Sequence, residues 1–344
     1  MVVTDLNKRR KKILQAIVEL YIETAVPVSS QAIAQRLRWR ISAATIRNVM
    51  AELIEMDLIW QPHTSAGRIP TDKAYRYYID SLLELEQLTS QEKEFIESQY
   101  PARNEAFEEL LKEILRLLSS FSGYTTVAFS SGLTRILFKK LEFVSLQTSK
   151  LLVVLISPEG LVKTTVVQVP YKIEQPELLK IARFLNAQFE GLALDEIKER
   201  LSLQVLNTQD AFFHILRKAT QILELAFGGL QKDELYLEGT SCILKQPEFQ
   251  NAQKLQAIFR AFEKQEPLLS IIKRGLDVDG VRVYIGKEGL CEDIQECSLV
   301  LSNFKIEDRY FGTLGVIGPR RMCYAKVISA VDYMADILSQ RLLI

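Results

Sequence analysis

Apolar residues recur at helical spacing in three segments near the N-terminus of this chain. Residues 6–24 predict a first helix, and a second helix, capped by Ser29 or Ser30, ends at about Leu37. Ser42 can cap a third helix, because its hydroxyl can accept the free amide of Thr45. One face of this third helix carries apolar residues at the spacing of a core-facing helix: Ile46, Val49, Met50, Leu53 and Ile54.

The opposite face of the third helix indicates contact with DNA. Its first two turns carry small or hydrogen-bonding residues: Ala43, Ala44, Thr45, Arg47 and Asn48. Its last two turns carry Glu52 and Glu55, which phosphates would repel, so only the N-terminal half can enter a major groove, as recognition helices do. Arg47 can pair with guanine, Asn48 with adenine, and the alanines can contact a thymine methyl group. The alternative for any one of these residues is a solvated amphipathic helix.

A short strand and a polar turn follow the third helix. Residues 58–60 predict the strand, which Pro62 restricts to a sheet edge, and Gly67 is available for a positive φ in the turn. A helix followed by a small basic turn is typical of a winged helix. The candidate contacts on the wing are His63, Thr64, Ser65 and Arg68, although a lone histidine is usually structural.

Positive charge is concentrated at the start of the chain. Residues 1–76 hold 12 Lys and Arg against 7 Asp and Glu, whereas the remainder holds 31 against 36. This asymmetry suggests a polyanionic partner for the basic part only. The run of cations at 8–12 is by default a solvated face, but beside a winged helix it predicts phosphate contacts. Three arginines flank the start of the third helix in the same way: Arg36, Arg38 and Arg40.

The rest of the chain predicts strands on both sides of a helical segment. Thr71 caps a helix to about Leu88, Thr89 and Glu92 form a capping box, and a longer helix spans 105–119. Strands are predicted at 125–129, 141–146, 151–156, 162–169, 281–285, 298–306 and 314–317, before a last helix from about Met322. Because 174–229 is helical, we expect one sheet domain interrupted by a helical insertion.

Residues 211–227 carry apolar side chains almost all round the predicted helix. Such a helix is buried in a core or across a subunit interface. His214 is predicted to be a core residue of this helix. The candidate dimerisation residues are Phe212, Ile215, Leu216, Ile222 and Leu223.

The sequence offers few residues or motifs for metal binding, disulfide bonds, membrane insertion or catalysis. The 4 cysteines are widely spaced and there are 2 histidines, which predicts neither a zinc site nor disulfides and favours reduced thiols in a cytoplasmic protein. The N-terminus is polar at once and no apolar run is long enough to span a bilayer, so we expect no signal peptide and no membrane span. The segment GVRVYIGKE lacks the spacing of a phosphate-binding loop, and Glu288 replaces its hydroxyl. We therefore expect no catalytic, metal or cofactor site and no enzyme.

Several segments resemble one bacterial family. PVSSQAIAQRL, SAATIRNVMAELIEMDLI and QPHTSAGRIPTDKAYRYYID closely resemble the heat-inducible transcription repressor HrcA family. Near the other end, VYIGKEG, CSLVLSNF and GTLGVIGPRRMCYAKVI look like its C-terminal signature. The resemblance spans nearly the whole chain and is weakest between about 174 and 234. Two positions depart from it: Ala74, where glycine is expected, and Arg320, where a smaller polar residue is more usual.

The resemblance implies an α/β multidomain protein that regulates transcription. Its parts are an N-terminal winged helix-turn-helix at 1–76, connecting helices at 77–104, a GAF-like α+β domain at 105–173 and 235–344, and a mainly helical inserted dimerisation domain at 174–234. The implied function is a homodimer on an inverted-repeat operator before heat-shock chaperone genes, relieved on heat stress, with the GroE chaperonin as partner. The predicted DNA-binding residues are Arg40, Ser42, Ala43, Ala44, Thr45, Arg47, Asn48, His63, Thr64, Ser65 and Arg68. The alternative is a ligand-responsive winged-helix regulator whose GAF-like domain senses a small molecule.

Overall fold

The computed structural model describes residues 6–37, 42–63, 66–99, 107–130, 137–147, 149–158, 162–207, 212–227, 234–276, 278–306 and 309–342. The chain divides into two compact units. The first contains Met1–Ala128, Tyr236–Asn303 and Thr313–Ala335, and the second contains Phe129–Leu235, Phe304–Gly312 and Asp336–Ile344.

The elements follow one another in three groups along the chain. The first group is α1 (Lys8–Thr24), α2 (Ser30–Leu37), α3 (Ala43–Glu55), β1 (Ile59–Trp60), β2 (Ile69–Pro70), α4 (Asp72–Ser81), α5 (Ser90–Ser98), α6 (Phe107–Ser122) and β3 (Thr125–Ser130). The second is β4 (Lys140–Gln147), β5 (Lys150–Ile156), β6 (Val162–Gln168), α7 (Gln175–Phe189), α8 (Leu194–Asn207) and α9 (Phe212–Phe227). The third is β7 (Glu234–Glu238), α10 (Ala252–Lys264), α11 (Glu266–Lys273), β8 (Arg282–Ile285), β9 (Cys297–Ile306), β10 (Arg309–Pro319) and α12 (Tyr324–Leu342).

The first unit begins with a winged-helix head, which we define as α1 to α4 with the β1–β2 hairpin. Its helices bury Ile17, Ile33 and Leu53 completely, because apolar residues at helical spacing lie on one face of each helix. Strands β1 and β2 are antiparallel, with Ile59 opposite Pro70. The predicted winged helix-turn-helix is confirmed.

A five-stranded sheet has the strand order β7-β3-β10-β9-β8. Helix α6 is joined to β3 by the hydroxyl of Thr126, which donates to the carbonyl of Leu115 at 2.9 Å. Helix α12 is joined to β9 by a 2.7 Å hydrogen bond between the hydroxyls of Ser298 and Tyr324. Strand β3 comes before the second group of elements, whereas its neighbours in the sheet, β7 and β10, come after that group. The predicted interruption of one sheet is therefore confirmed.

The second unit holds an antiparallel sheet with the order β4-β5-β6. Its inner face buries Phe143, Val153 and Leu155, and α7 runs alongside β4. Two amides of α7 tie it to the strand: Gln175 bonds to the carbonyl of Phe143 and the amide of Ser145, and Asn186 bonds to both backbone groups of Leu141. The predicted inserted segment, 174–234, lies within this unit, which begins earlier because the β4–β6 strands pair with one another.

Several expectations about single elements differ from the structure. The helix capped by Thr71 ends at Ser81 rather than near Leu88, because the amides of Leu82 and Leu83 both donate to the carbonyl of Tyr78 and close its last turn. Strand β7 and helices α10 and α11 were not predicted. Ile54 is 37% exposed instead of buried, because it lies about 80° from Ile46 around the helix, at the edge of the apolar stripe.

Helix α9 also differs from its prediction. It is amphipathic rather than apolar all round: Leu216, Ala219 and Ile222 are buried, whereas His214 is exposed on the opposite face with polar neighbours. The prediction that His214 is a core residue is therefore wrong. A run of apolar letters overstates burial when its few polar positions all fall on one side of the helix.

Candidate nucleic-acid interface

Helix α3 begins as the sequence predicts. The hydroxyl of Ser42 accepts the backbone N–H of Thr45 at 3.2 Å, and the two hydroxyls are 3.0 Å apart. This cap satisfies one of the amides that every helix leaves free in its first turn. Ser42 therefore has a structural partner at the end of the helix that the prediction places in the groove.

The predicted contact residues of α3 share an exposed surface. Ala44, Arg47 and Asn48 are exposed, while Ala43 and Thr45 are half-buried. Arg47 Nε donates to the hydroxyl of Ser30, at the start of α2, over 3.4 Å. This hydrogen bond is long and thus weak, so the guanidinium remains available to another acceptor.

Negative charge at the far end of α3 is partly neutralised. Glu52 accepts a hydrogen bond from Arg10 Nε of α1 at 2.6 Å, and both side chains are partly exposed. Sequence reasoning placed Arg10 in a general charge run and did not foresee this pair. The pair brings the cationic start of α1 beside the face of α3 that is predicted to contact DNA.

The start of α1 extends this positive surface. Asn7 caps the helix by accepting the amide of Arg10, and Lys8 and Arg9 in the first turn are exposed. Cations at a helix N-terminus are unfavourable, because that end of the helix carries the positive pole of its dipole. The arrangement costs helix stability and suits a surface that meets phosphates.

The arginines that flank α3 have different surroundings. Arg36 pairs with Glu23 at 2.6 Å, and Glu19 lies 3.9 Å from the same nitrogen. Its charge is thus directed to α1 rather than left unpaired. Arg38 and Arg40 lie outside the described residues.

The wing is a hairpin anchored to the chain before α2. Val28 and Arg68 exchange both backbone hydrogen bonds, at 2.9 and 2.8 Å. Gly67 is not among the glycines with positive φ, contrary to expectation; instead a Cβ there would lie 2.3 Å from the carbonyl oxygen of Pro27. Glycine is needed at this position because two backbones approach closely.

The predicted contact residues of the wing are only partly described. His63 is exposed, and its carbonyl accepts the amide of Ala66 at 2.9 Å. Arg68 is half-buried, with Nη1 donating to the carbonyl of Ala66 at 3.1 Å, so its side chain is folded onto its own wing. Thr64 and Ser65 lie outside the described residues.

The predicted dimerisation residues lie on α9. Leu216, Ile222 and Leu223 are buried within their own unit, and Ile215 is half-buried. The side chain of Phe212 is outside the described residues. Most of these apolar side chains thus pack in the core of the second unit. Their place in a subunit interface stays a prediction.

Two general features bear on the class of site. Among the described residues, no group of three or more His, Cys, Asp and Glu side chains is placed to hold a metal ion. Within the same part of the chain, no helix has both the length and the apolar character required to cross a membrane.

Comparison with known proteins identifies the family of this chain. Residues 5–83 match the family model described as a winged helix-turn-helix transcription repressor, HrcA DNA-binding, and residues 108–328 match the model of the HrcA protein C terminal domain. The chain is 37% identical to the heat-inducible transcription repressor HrcA of Geobacter sulfurreducens over 98% of this chain and 99% of that protein. It is 38% identical to the repressor of the same name from Pelotomaculum thermopropionicum, over 97% of this chain and 96% of the relative.

A solved structure shares the fold. The crystal structure of a hypothetical protein has a TM-score of 0.67 and 24% identity, covering 98% of this chain and 99% of that chain. The match to both family models and the full-length identity to named relatives agree with the exposed face of α3 and the anchored wing. The chain belongs to the HrcA family of heat-inducible transcription repressors, which are DNA-binding regulators and not enzymes.

Proposed function

We propose that this protein acts as a homodimer that binds an inverted-repeat operator upstream of heat-shock chaperone genes and leaves it on heat stress. The observation that carries the proposal is the exposed N-terminal half of α3, where Ala44, Arg47 and Asn48 face outward beside the wing. A two-fold dimer would present one winged helix to each half-site, so that protein symmetry matches operator symmetry.

Each exposed residue in the N-terminal half of α3 has a base that suits it. The Arg47 guanidinium can donate two hydrogen bonds to O6 and N7 of guanine, and the Asn48 amide can pair with N6 and N7 of adenine. Ala44 is small enough to approach a thymine methyl group. The wing, with His63 at its exposed turn, and the cations that begin α1 would then face the phosphates on either side of the groove.

The outer face of the β4–β6 sheet supports a dimer. Val144, Val162 and Val166 are 42%, 58% and 58% exposed. The strand register places Val144, Leu152 and Val166 in one row across the three strands, and Ile156 lies opposite Val162. An exposed apolar patch of this kind is typical of a protein–protein interface. We propose that the same face of a second copy covers it.

The same sheet face supports the GroE chaperonin as a partner. In a subunit that has not yet paired, the outer valines are open to water, and chaperones act on apolar surface exposed in this way. Heat increases the load of unfolded proteins that compete for the chaperonin. Unpaired repressor subunits would then accumulate and repression would fall.

The test is a binding titration across a series of salt concentrations. Purified protein is titrated into a fluorescent inverted-repeat duplex from a chaperone promoter and into a scrambled duplex. The proposal expects a specific complex at about 10⁻⁸ M or tighter, at least about 10³-fold above scrambled binding. Equal and strongly salt-dependent binding to both duplexes, unchanged when GroE is added, would contradict it.

A further inference from the structure

The winged-helix head is connected to the rest of the first unit by an irregular segment. Residues 83–89, between α4 and α5, have no regular structure, and Leu85 is 59% exposed. Helix α5 beyond this segment is fastened to α12, because the hydroxyl of Tyr333 donates to Glu97 at 2.6 Å. An exposed, irregular connection does not fix an orientation, so the orientation of the head depends on contacts made elsewhere.

The first such contact surrounds Asp72, the first residue of α4. Arg320 Nη1 donates to Asp72 Oδ1 at 2.8 Å, and the backbone N–H of Lys287 donates to Oδ2 at 3.2 Å. Gly286 has a φ of +53°, and a Cβ there would lie 2.2 Å from Asp72 Oδ2. We define residues 286–288 as the docking turn. It reaches Asp72 only because residue 286 is glycine.

Arg320 extends this contact to a second carboxylate. Its Nη2 donates to Glu296 at 2.7 Å, so one guanidinium bridges an acid of the head and an acid of the α/β part of the unit. Partial burial acts to lower the pKa of Arg320, but its hydrogen bond to Asp72 and the charges of both acids raise that pKa above its ordinary value.

The second contact lies one turn further along α4. Arg76 Nε is 3.0 Å from each carboxylate oxygen of Glu288 in the docking turn, and Nη2 donates to the carbonyl of Val283 at 2.5 Å. Tyr75, which precedes Arg76 on α4, and Tyr324 of α12 are both buried, and their rings lie 6.0 Å apart. Forked hydrogen bonds between charged groups are stronger and more directional than neutral ones.

The order of charges fixes the register of these contacts. Along α4 the acid Asp72 precedes the base Arg76, and each meets the opposite charge, Arg320 and Glu288 respectively. Sliding α4 by one turn would bring like charges together, which is repulsive. A further hydrogen bond, from Arg321 to the carbonyl of Ile22 in α1 at 3.3 Å, also links the head to this side.

We propose that these contacts, which we call the α4 joint, hold the head in one orientation and that Asp72, Arg76, Glu288 and Arg320 are positioning residues for operator binding. They act through α4 rather than by contacting bases. The inference rests on the proposed homodimer: two heads gain from a high effective concentration at the second half-site only when both are held at the right place. A fixed head also makes binding depend on the spacing of the half-sites.

The test compares variants that change the net charge in opposite directions. In the full-length chain, Arg320→Thr removes a positive charge and Glu288→Arg adds positive charge, yet both break the α4 joint. We expect each to weaken binding to the full inverted repeat by about tenfold. Binding to a duplex with one half-site should change by less than about twofold, because a single head needs no partner. Each variant should also lose the preference for the natural spacing over duplexes with altered spacing.

Two further variants separate the joint from general electrostatics. Reversing the pair with Arg76→Glu and Glu288→Arg together should restore much of the spacing preference that either change alone removes. Arg274→Thr, at an exposed position of the same unit, removes the same charge as Arg320→Thr and should leave the spacing preference unchanged. Melting temperatures check that each variant folds. If Arg320→Thr does not fold, the result for Glu288→Arg decides the test.

A measurement without DNA distinguishes this inference from the proposed function. Hydrogen exchange of the Lys287 amide should accelerate in Asp72→Asn, because that amide loses its charged acceptor. The Lys287 amide can be protected in the wild type while the wild type binds an inverted repeat no better than scrambled DNA. In that case the α4 joint exists, but the proposed function fails and the positioning role fails with it. The inference would be overturned, even where the repressor function holds, if Arg320→Thr and Glu288→Arg both kept the wild-type preference for half-site spacing. Tighter operator binding by Arg320→Thr would also overturn it.

Discussion

The cations of the winged-helix head differ in the partner that each has found. Arg10 pairs with Glu52 and Arg36 pairs with Glu23, both at 2.6 Å. Arg68 donates to a carbonyl of its own wing. Arg47 is exposed and held by a hydrogen bond of 3.4 Å, so it can turn toward a base edge at little cost.

Replacing Arg47 with alanine should therefore weaken specific binding without unfolding the head. We expect a loss of roughly 1–3 kcal/mol for the operator and little change for scrambled DNA, because a bidentate pair to guanine contributes discrimination rather than general attraction. The measurement is a titration of both duplexes with a melting curve. Arg217→Ala, at an exposed position of α9, is the matched control and should bind as the wild type does. Unchanged operator affinity in a folded Arg47→Ala protein would remove Arg47 from the interface.

At the residue scale, sequence predicted what depends on near neighbours along the chain. Ser42 and Thr71 cap their helices as expected, and Thr89 with Glu92 forms the predicted capping box. Sequence did not predict partners distant along the chain, such as Arg10 with Glu52, since nothing in a local pattern specifies them. For the same reason, the need for glycine at position 67 was attributed to a turn conformation instead of close contact with Pro27.

The wing depends on a close approach of two backbone segments. A Cβ at position 67 would meet the carbonyl oxygen of Pro27 at 2.3 Å and the carbonyl carbon of Val28 at 2.6 Å. Neither atom belongs to a side chain that can rotate away. The wing would have to move, and its paired hydrogen bonds between Val28 and Arg68 would be lost.

Gly67→Ala should thus displace the wing and weaken DNA binding. We expect a loss of about 1–3 kcal/mol of stability from overpacking, and faster hydrogen exchange at the Val28 and Arg68 amides. Gly191→Ala is the control: its φ of +84° makes alanine strained, but nothing lies within 4 Å of the added Cβ. The control should lose stability and keep its DNA affinity. Equal DNA affinity for Gly67→Ala and the wild type would show that the wing does not contribute.

The outer face of the β4–β6 sheet yields a prediction about assembly. Val166→Lys should convert the proposed dimer into monomers, because a desolvated lysine without a partner is unfavourable in an apolar interface. Operator binding should weaken with it. Leu203→Lys changes an equally exposed apolar residue, 55% exposed on α8, and should remain dimeric. Sedimentation of both variants provides the measurement, and a dimeric Val166→Lys protein would place the interface on another surface.

At the element scale, alternation and helical spacing predicted most strands and helices but not all. The strands from β4 to β6 lie within a residue or two of their predicted bounds, and β5 is recognisable as a continuous apolar run, Leu151–Ile156. Helix α10 was missed although Asn251 caps it and Ile258 and Phe262 are buried at helical spacing, a signal that was present in the sequence. Helix α9 was found, but which of its faces is buried depends on packing against other elements.

At the scale of the whole molecule, the interrupted sheet followed from the sequence and its strand order did not. Strands before and after a helical segment indicate one domain with an insertion. The position of β3 between β7 and β10 depends on pairing between distant segments. The α4 joint was equally beyond local reasoning, because Asp72 and Arg320 meet only in the folded chain.

Buried acids that are neutral at pH 7 predict alkaline instability of the molecule. Burial raises the pKa of Cys297 to about 12 and raises the pKa of Tyr324 and Tyr75 above that of free tyrosine. In the unfolded chain these groups lose protons from a pKa of about 8.5 for cysteine and about 10 for tyrosine. Stability is therefore fully present below about pH 8.5 and decreases as the pH rises toward the folded pKa values.

Melting temperatures between about pH 7 and pH 11 test this expectation. The midpoint should fall progressively above about pH 8.5, and Cys297→Ala should flatten the first part of the decline, before tyrosines ionise. A constant melting temperature up to about pH 10.5, or a decline that is the same in Cys297→Ala, would show that other groups control alkaline unfolding.

The position of β3 in its sheet also bears on the order in which the parts of the protein fold during synthesis. The head can fold from contacts within its own segment while the ribosome is still translating, because its contacts are local. Strand β3 has to wait for its neighbour, Arg309–Pro319, and Arg320 is translated only after that strand. A nascent chain thus carries a folded head whose docking partner is absent, and repression begins only after Arg320 has been translated.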